Sequence, residues 1–328
     1  MQSADLEVLS NAHAWLAQGH RVALATVVRT FGSAPRPEGA LLALSEQGLL
    51  TGSVSGGCIE ADLLERVRTA FPAGPELATY GVENGTARRF GLPCGGTLEL
   101  VLEPLRGPDA LAPILSALDQ RHCLRRVLDM DTGAISFDAA EPVDVCAFDG
   151  RRLARVFGPR WRLLAIGAGQ ITRFLADMAQ ALDYEVLVSE PREEYRASWR
   201  ADGFTRLLPD MPDDAVRGFA ADGRAVVVAL THDPKLDDLA LMEALASPAF
   251  YVGALGSRRS QDKRRERLRS LGLDARQVAR LHGPVGLDLG GKTPAEIALA
   301  VLAEVTALRH GVTLGAIAGE RAGRSACA

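Results

Sequence analysis

Apolar positions follow two rhythms along the 328-residue chain. In the first half they come in short runs of changing period. Leu6, Leu9, His13 and Leu16 recur at helical spacing over residues 4–18, and Gly19 is placed to end that helix. Residues 21–29 (RVALATVVR) form a β-rich run that gives way to turn-formers, Thr30-Phe-Gly-Ser-Ala-Pro-Arg-Pro-Glu-Gly39. Residues 40–44 and 48–54 are apolar runs joined by a polar turn, as in a hairpin. Ile59, Leu63, Val67 and Ala70 share one helical face. Residues 97–103 alternate, with Leu98, Leu100 and Leu102 on one side and Glu99, Val101 and Glu103 on the other, the pattern of a half-buried strand. A helix over 109–121 and short strands with polar turns complete this half.

The second half alternates strand and helix. Residues 162–166, 185–189, 225–230 and 250–253 are apolar strands with helical patterns between them, which predicts a parallel sheet covered on both faces. The Pro- and Arg-containing joint Phe157-Gly-Pro-Arg-Trp161 marks the boundary. The expected organisation is α/β throughout: an N-terminal α/β domain with a mixed sheet over 1–158, and a C-terminal Rossmann-like domain with a parallel sheet over 159–328.

Composition removes several classes of function. A net charge of −4 provides no basic field for nucleic acid or an anionic membrane. No apolar run approaches the ~18 residues of a membrane span, and the N-terminus does not read as a signal peptide. Five cysteines at irregular spacing do not form a disulfide framework, so a reduced, cytoplasmic protein is expected.

Candidate chemistry begins in the second half. Ile166-Gly-Ala-Gly-Gln-Ile-Thr172 leaves a strand and opens a helix, with Glu190 placed 23 residues beyond Gly167. This is a dinucleotide fingerprint in which Thr172 replaces the third glycine. Gly167 and Gly169 would allow close approach of a phosphate to the helix N-terminus. Glu190 would accept from ribose hydroxyls, whereas Arg192 would meet an extra phosphate. Thr231-His232-Asp233 follows the apolar run 225–230, and His232 either caps or contacts a ligand. Gly253-Ala-Leu-Gly-Ser-Arg258-Arg259 offers backbone donors and guanidinium groups to phosphate. The basic residues behind it, Lys263, Arg264, Arg265 and Arg267, read as a solvated face. Gly286-Leu-Asp-Leu-Gly-Gly-Lys-Thr293 formally matches an ATPase phosphate loop, but Pro294 removes a donor. Thr293-Pro-Ala-Glu296 reads better as a capping box.

In the first half, Ser53-Val-Ser-Gly56-Gly57-Cys58-Ile-Glu60 places a thiol after two glycines. Those glycines are expected to present unpaired N–H groups at a helix start, where a thiol ionises more easily. The competing reading is a small buried hydrophobe. Leu92-Pro-Cys94-Gly95-Gly96-Thr97 repeats the theme. Cys123, Cys146 and Cys327 lack glycine neighbours and read as core or tail. No cysteine spacing suits structural zinc.

Gly32-Ser-Ala-Pro-Arg-Pro, Gly52-Ser-Val-Ser-Gly-Gly-Cys-Ile-Glu, Pro93-Cys-Gly-Gly, Gly167-Ala-Gly, Leu230-Thr-His-Asp, Gly253-Ala-Leu-Gly-Ser-Arg-Arg and Gly286-Leu-Asp-Leu-Gly together resemble the XdhC/CoxI family. These are accessory proteins of xanthine dehydrogenase and related molybdenum hydroxylases. The resemblance implies a chaperone that transiently binds molybdenum cofactor, as molybdopterin or its dinucleotide form. It would support sulfuration by a cysteine desulfurase and deliver the cofactor to an apo-hydroxylase of the xanthine, aldehyde or carbon monoxide dehydrogenase type. Carried onto this chain, Cys58 and Cys94 would contact the molybdenum centre, alongside Gly56, Gly57, Gly95, Gly96 and Arg36. The single Cys before Gly95-Gly96, where some members carry two, leaves the client open. A homodimer is a further expectation. The alternative is an NAD(P)-dependent oxidoreductase using the Gly167 loop, though no acid/base pair accompanies it.

Overall fold

The structure, a computed structural model, describes residues 3–32, 36–57, 59–81, 96–141, 146–199 and 205–312. Cys58, Cys94, Gly95 and Cys327 lie outside the described residues. The chain divides into two compact units, Met1–Pro159 and Arg160–Ala328.

The first unit is built on a five-stranded sheet of β1 (Val22–Phe31), β2 (Leu41–Ser45), β3 (Leu50–Gly52), β4 (Glu76–Tyr80) and β5 (Thr97–Leu105), in the order β3-β2-β1-β5-β4. Every pairing is antiparallel, so the sheet expected to be mixed is not. One face carries Ala23, Ala25, Val27, Leu42, Leu44, Leu98, Leu100 and Leu102 against Leu63 and Val67 of α2 (Glu60–Thr69). α2 ends at Thr69, which leaves Ala70 exposed beyond the apolar stripe. The other face meets Val8, Leu9, Ala12 and Leu16 of α1 (Ser3–Ala17), while Leu6, expected on that stripe, is exposed. The expected helix over 109–121 is a 3-10 turn, Pro108–Ala110, followed by α3 (Ala112–Asp119).

β5 departs from the half-buried reading. Val101 and Glu103 are buried as fully as the leucines, because a second sheet covers that side. It consists of β6 (Leu124–Asp129), β7 (Ile135–Ala139), β8 (Cys146–Phe148) and β9 (Arg152–Phe157), antiparallel in the order β7-β6-β9-β8. Val28 and Val101 pack on Leu128 and Leu153. Glu103 meets Arg126 of β6 in a two-pronged ion pair at 2.9 and 2.6 Å. Truncating one partner of such a buried pair typically costs ~3–5 kcal/mol, because it strands a charge.

The second unit is a parallel sheet of β10 (Arg162–Ile166), β11 (Glu185–Ser189), β12 (Arg206–Leu208), β13 (Ala225–Ala229), β14 (Tyr251–Ala254) and β15 (Leu281–His282). Its order, β12-β11-β10-β13-β14-β15, is that of a doubly wound dinucleotide-type sheet, with the direction of winding reversing between β10 and β13. α4 (Gln170–Ala181) and α10 (Pro294–Arg309) cover one face. α6 (Pro212–Phe219), α7 (Pro234–Ala246), α8 (Arg258–Ser270) and α9 (Ala275–Ala279) cover the other, and the short α5 (Glu193–Ala197) follows β11. Near-continuous apolar runs such as Ala225–Ala229 of β13 fit this double cover. The expected α/β architecture with a C-terminal Rossmann-like sheet therefore holds.

Candidate functional site

The antiparallel pairings point three sequence motifs toward one end of the first sheet. β1 reaches that end at Phe31, opposite Thr97 at the start of β5. β3 runs in the same direction and stops at Gly52, opposite Leu42. The Gly32 segment and the Gly96 end of the Cys94 motif leave that end side by side, whereas Ser53–Gly57 starts from the level of Ala25 and Thr26, short of Phe31 along β1. With strands ~4.8 Å apart, β3 lies ~10 Å from β1 and β5 lies next to it. The closeness is real at the backbone: a β-carbon on Gly32 would sit 3.4 Å from the Gly96 Cα. Arg36 is exposed.

The Ser53–Gly57 loop is not the set of unpaired donors that the sequence suggested. Gly56 and Gly57 adopt φ of 79° and 114°, which favour glycine and curl the backbone around one carboxylate. That carboxylate is Glu60. Its Oε1 accepts from the Ser53 hydroxyl at 2.8 Å, the Val54 N–H at 3.0 Å and the Ser55 N–H at 2.9 Å. Its Oε2 accepts from the Gly57 N–H at 2.9 Å, the Ile59 N–H at 3.2 Å and the Ser55 hydroxyl. The Gly56 N–H donates instead to the Ser53 hydroxyl at 3.0 Å. Burial alone would raise the Glu60 pKa, but the bonds from Ser55 and Ser53 outweigh it and bring it down to about 2. The loop is thus prearranged around an internal anion, and the Val54, Ser55, Gly56, Gly57 and Ile59 N–H groups are not free to bind a second one.

Sequence reasoning missed Glu60, although a signal was present. Glu60, Leu63 and Val67 share the buried face of α2, so helical spacing alone points the carboxylate inward.

The second unit shows a related device at its glycine loop. Gly167 has φ of 98°, and a β-carbon there would lie 2.7 Å from the Thr231 Cγ2, so the loop and the end of β13 touch. Thr172 donates its hydroxyl to the Gly167 carbonyl at 2.5 Å, filling the third-glycine position with a hydrogen bond. Gly169 caps α4 and is exposed, with open space where a side chain would project.

Glu190 is completely buried. It accepts the Ala168 N–H at 3.0 Å, the Arg192 N–H at 3.1 Å, and the Arg192 Nε and Nη2 at 2.7 and 2.8 Å. Burial would raise its pKa, but Arg192 and the Ala168 N–H hold it below the usual carboxylate value. Its four acceptor positions are spent within the chain, so the expected ribose contact has no lone pair in this arrangement. Arg192, expected to meet a phosphate, forks onto Glu190 instead and stacks at 3.9 Å over Tyr195.

At the carboxyl ends of β13 and β14, Asp233 caps α7 by accepting the Lys235 N–H, and His232 is exposed beside it. Thr231 is tied to Asp237 through both its N–H and its hydroxyl, at 3.2 and 2.7 Å. Asp237 in turn holds Arg264 at 2.7 Å, and Arg264 also donates to the Leu255 carbonyl at 3.0 Å. The solvated-face reading is therefore wrong for Arg264, which is buried between Asp237 and Asp238 and pins two loops of the sheet edge. Burial is the largest influence on Asp237 and pushes its pKa up. Arg258 is exposed in the first turn of α8, which Ser257 caps.

The Gly286 motif is structural. Glu304 accepts the Gly286 N–H at 2.7 Å and the Tyr251 hydroxyl at 2.6 Å, and it meets the His282 Nδ1 at 2.9 Å. Thr293 and Glu296 form the expected capping box, and the Lys292 N–H also donates to Glu296. The Lys292 and Thr293 N–H groups, which an ATPase loop would offer to phosphate, are used in starting α10. Among the described residues, no cluster of three His, Cys, Asp or Glu side chains is placed to hold a metal, and no helix is long and apolar enough to cross a membrane.

Comparison with known proteins agrees with the order of these two units. The model of the XdhC and CoxI family matches residues 15–81, and that of the XdhC Rossmann domain matches residues 163–305. The chain belongs to the XdhC/CoxI family. Within the family, it is 28% identical over 294 residues to the molybdenum cofactor insertion chaperone PaoD of Escherichia coli K12, covering 90% of this chain and 85% of that one. It is 24% identical over 320 residues to a probable xanthine dehydrogenase subunit of Bacillus subtilis 168, covering 89% and 94%. A crystal structure described as a xanthine dehydrogenase from Bacillus halodurans superposes with a TM-score of 0.68 at 24% identity, covering 94% of this chain and 97% of that one. That likeness supports the fold. The two parts of this XdhC/CoxI protein are thus a motif-bearing antiparallel unit and a Rossmann-type unit.

Proposed function

We propose that this protein is a maturation chaperone for molybdenum cofactor. It binds the cofactor transiently, supports installation of the sulfido ligand by a cysteine desulfurase, and delivers the product to an apo molybdenum hydroxylase. The observation that carries this reading is the 294-residue alignment to a molybdenum cofactor insertion chaperone, which runs through both units. The adjacency of the Gly32 and Gly96 segments, with Ser53–Gly57 leaving its strand in the same direction, supports placing the cargo in the first unit. Cys58 and Cys94 are the proposed soft ligands toward molybdenum or sulfur. Glu60 would set the backbone on both sides of Cys58, since the Gly57 and Ile59 N–H groups donate to the same oxygen.

The oxidoreductase alternative loses support because Glu190 is saturated by the loop and Arg192. Genetic complementation tests the proposal. A cell lacking this protein should make hydroxylase polypeptide with little activity, and the wild-type chain should restore it. Purified protein should turn over neither NAD(P)H nor hypoxanthine. Full hydroxylase activity in the deletion strain, or robust turnover by the protein alone, would defeat the chaperone reading.

A further inference from the structure

With the Val54, Ser55, Gly57 and Ile59 N–H groups all committed to Glu60, a cargo on the first sheet must be held by other means. Phe31 ends β1, the central strand of the five, and is 55% exposed. No other large hydrophobic residue described in the first unit is as open; Leu77 and Leu6 follow at 44% and 42%. Its chain neighbour Gly32 and the adjacent strand's Gly96 carry no side chains, so neither position shields the ring. Five residues further on, Arg36 is exposed and has no ion pair among the described residues. An open aromatic face at the end of the sheet's central strand suits a planar fused heteroaromatic ring, and the guanidinium five residues along the chain suits an attached phosphate.

We propose that Phe31 is the stacking platform for the pterin ring of the cargo, with Arg36 supplying charge to its phosphate. This rests on the molybdenum cofactor reading above and adds a specific contact to it. The test is the pterin content per chain of full-length protein purified anaerobically from a cofactor-producing bacterium. Phe31→Leu should retain about tenfold less pterin than wild type, in line with the loss of one base-like stacking contact. Phe31→Trp should retain at least as much as wild type, and Arg36→Ala should lose less than Phe31→Leu. Because Phe31 is exposed, the leucine variant should melt at the wild-type temperature, which separates loss of cargo from loss of fold. A Phe31→Leu protein as full as a cofactor-loaded wild type would overturn the platform while leaving the chaperone reading standing. A wild-type protein that is empty would remove that reading, and the platform with it.

Discussion

The two glycine loops, Ser53–Ile59 and Gly167–Thr172, have the same ingredients and use them differently. Each has glycine at positive φ (Gly56 and Gly57 in the first, Gly167 in the second), opens a helix and has a carboxylate within reach. Glu60 draws six donors from its own loop and leaves that loop closed upon itself. Glu190 takes one loop N–H and otherwise holds Arg192, which leaves Gly169 and Gln170 exposed at the start of α4. A glycine-rich loop at a helix start is therefore not by itself an anion site. Where the neighbouring carboxylate sits decides whether the donors remain available.

The largest effect expected from breaking this contrast is at Glu60. In Glu60→Gln an amide N–H₂ must face N–H and O–H donors, which costs about 3 kcal/mol. Hydrogen exchange at Val54, Ser55, Gly57 and Ile59 should accelerate by more than tenfold, while the second unit keeps its protection. The wild type carries a pH signature of the same contact. The Glu60 pKa is lowered from 4.5 to about 2 in the folded state, so its contribution is fully present above pH 4.5 and is lost as pH falls toward 2. Protection factors at these amides, taken against the intrinsic rate at each pH, should fall across that window in wild type and stay flat in Glu60→Gln. Unchanged protection in the variant would show that the carboxylate does not organise the loop.

A smaller effect is expected at Glu190. Glu190→Gln keeps the shape but removes the charge that Arg192 grips, at a cost of about 2 kcal/mol. Exchange at the Ala168 and Arg192 amides reads it directly. The variant should not gain affinity for NAD(P) in calorimetry, because Arg192 is also held by its stacking on Tyr195. The smallest pair sharpens the backbone side of the comparison. Gly167→Ala forces a β-carbon into Thr231 at a strained φ and should cost about 1–2 kcal/mol. Gly169→Ala meets open space and should stay within about 0.5 kcal/mol of wild type in thermal unfolding. Equal costs at the two positions would mean that the contact with Thr231 does not hold the loop.

The four inner strands of the second unit were legible to within a residue, because a parallel sheet covered on both faces leaves uninterrupted apolar runs such as Ala225–Ala229. The short outer strands β12 and β15, of three and two residues, carry no such run and were not expected. Alternation in β5 was legible too, but its meaning was not. Glu103 looks solvent-facing until Arg126 arrives from another sheet, 23 positions away in sequence. Arg264 was misread for the same reason, since Asp237 and Asp238 reach it from α7. In both α2 and α8 the buried polar residue does lie on the buried face, Glu60 with Leu63 and Val67, and Arg264 with Gln261 and Leu268. Helical spacing locates such residues, but only tertiary structure names their partners. The motifs on the first sheet could be recognised one by one, whereas their common direction follows from strand order.

The central claim is that the protein carries molybdenum cofactor, and its most direct test is the molybdenum and pterin content of wild-type protein purified without oxygen from a cofactor-producing cell. The account predicts both at a substantial and equal fraction per chain, with Cys58→Ala and Cys94→Ala folded but depleted. A wild-type chain that holds neither molybdenum nor pterin, from a cell whose hydroxylases are loaded and active, would contradict it.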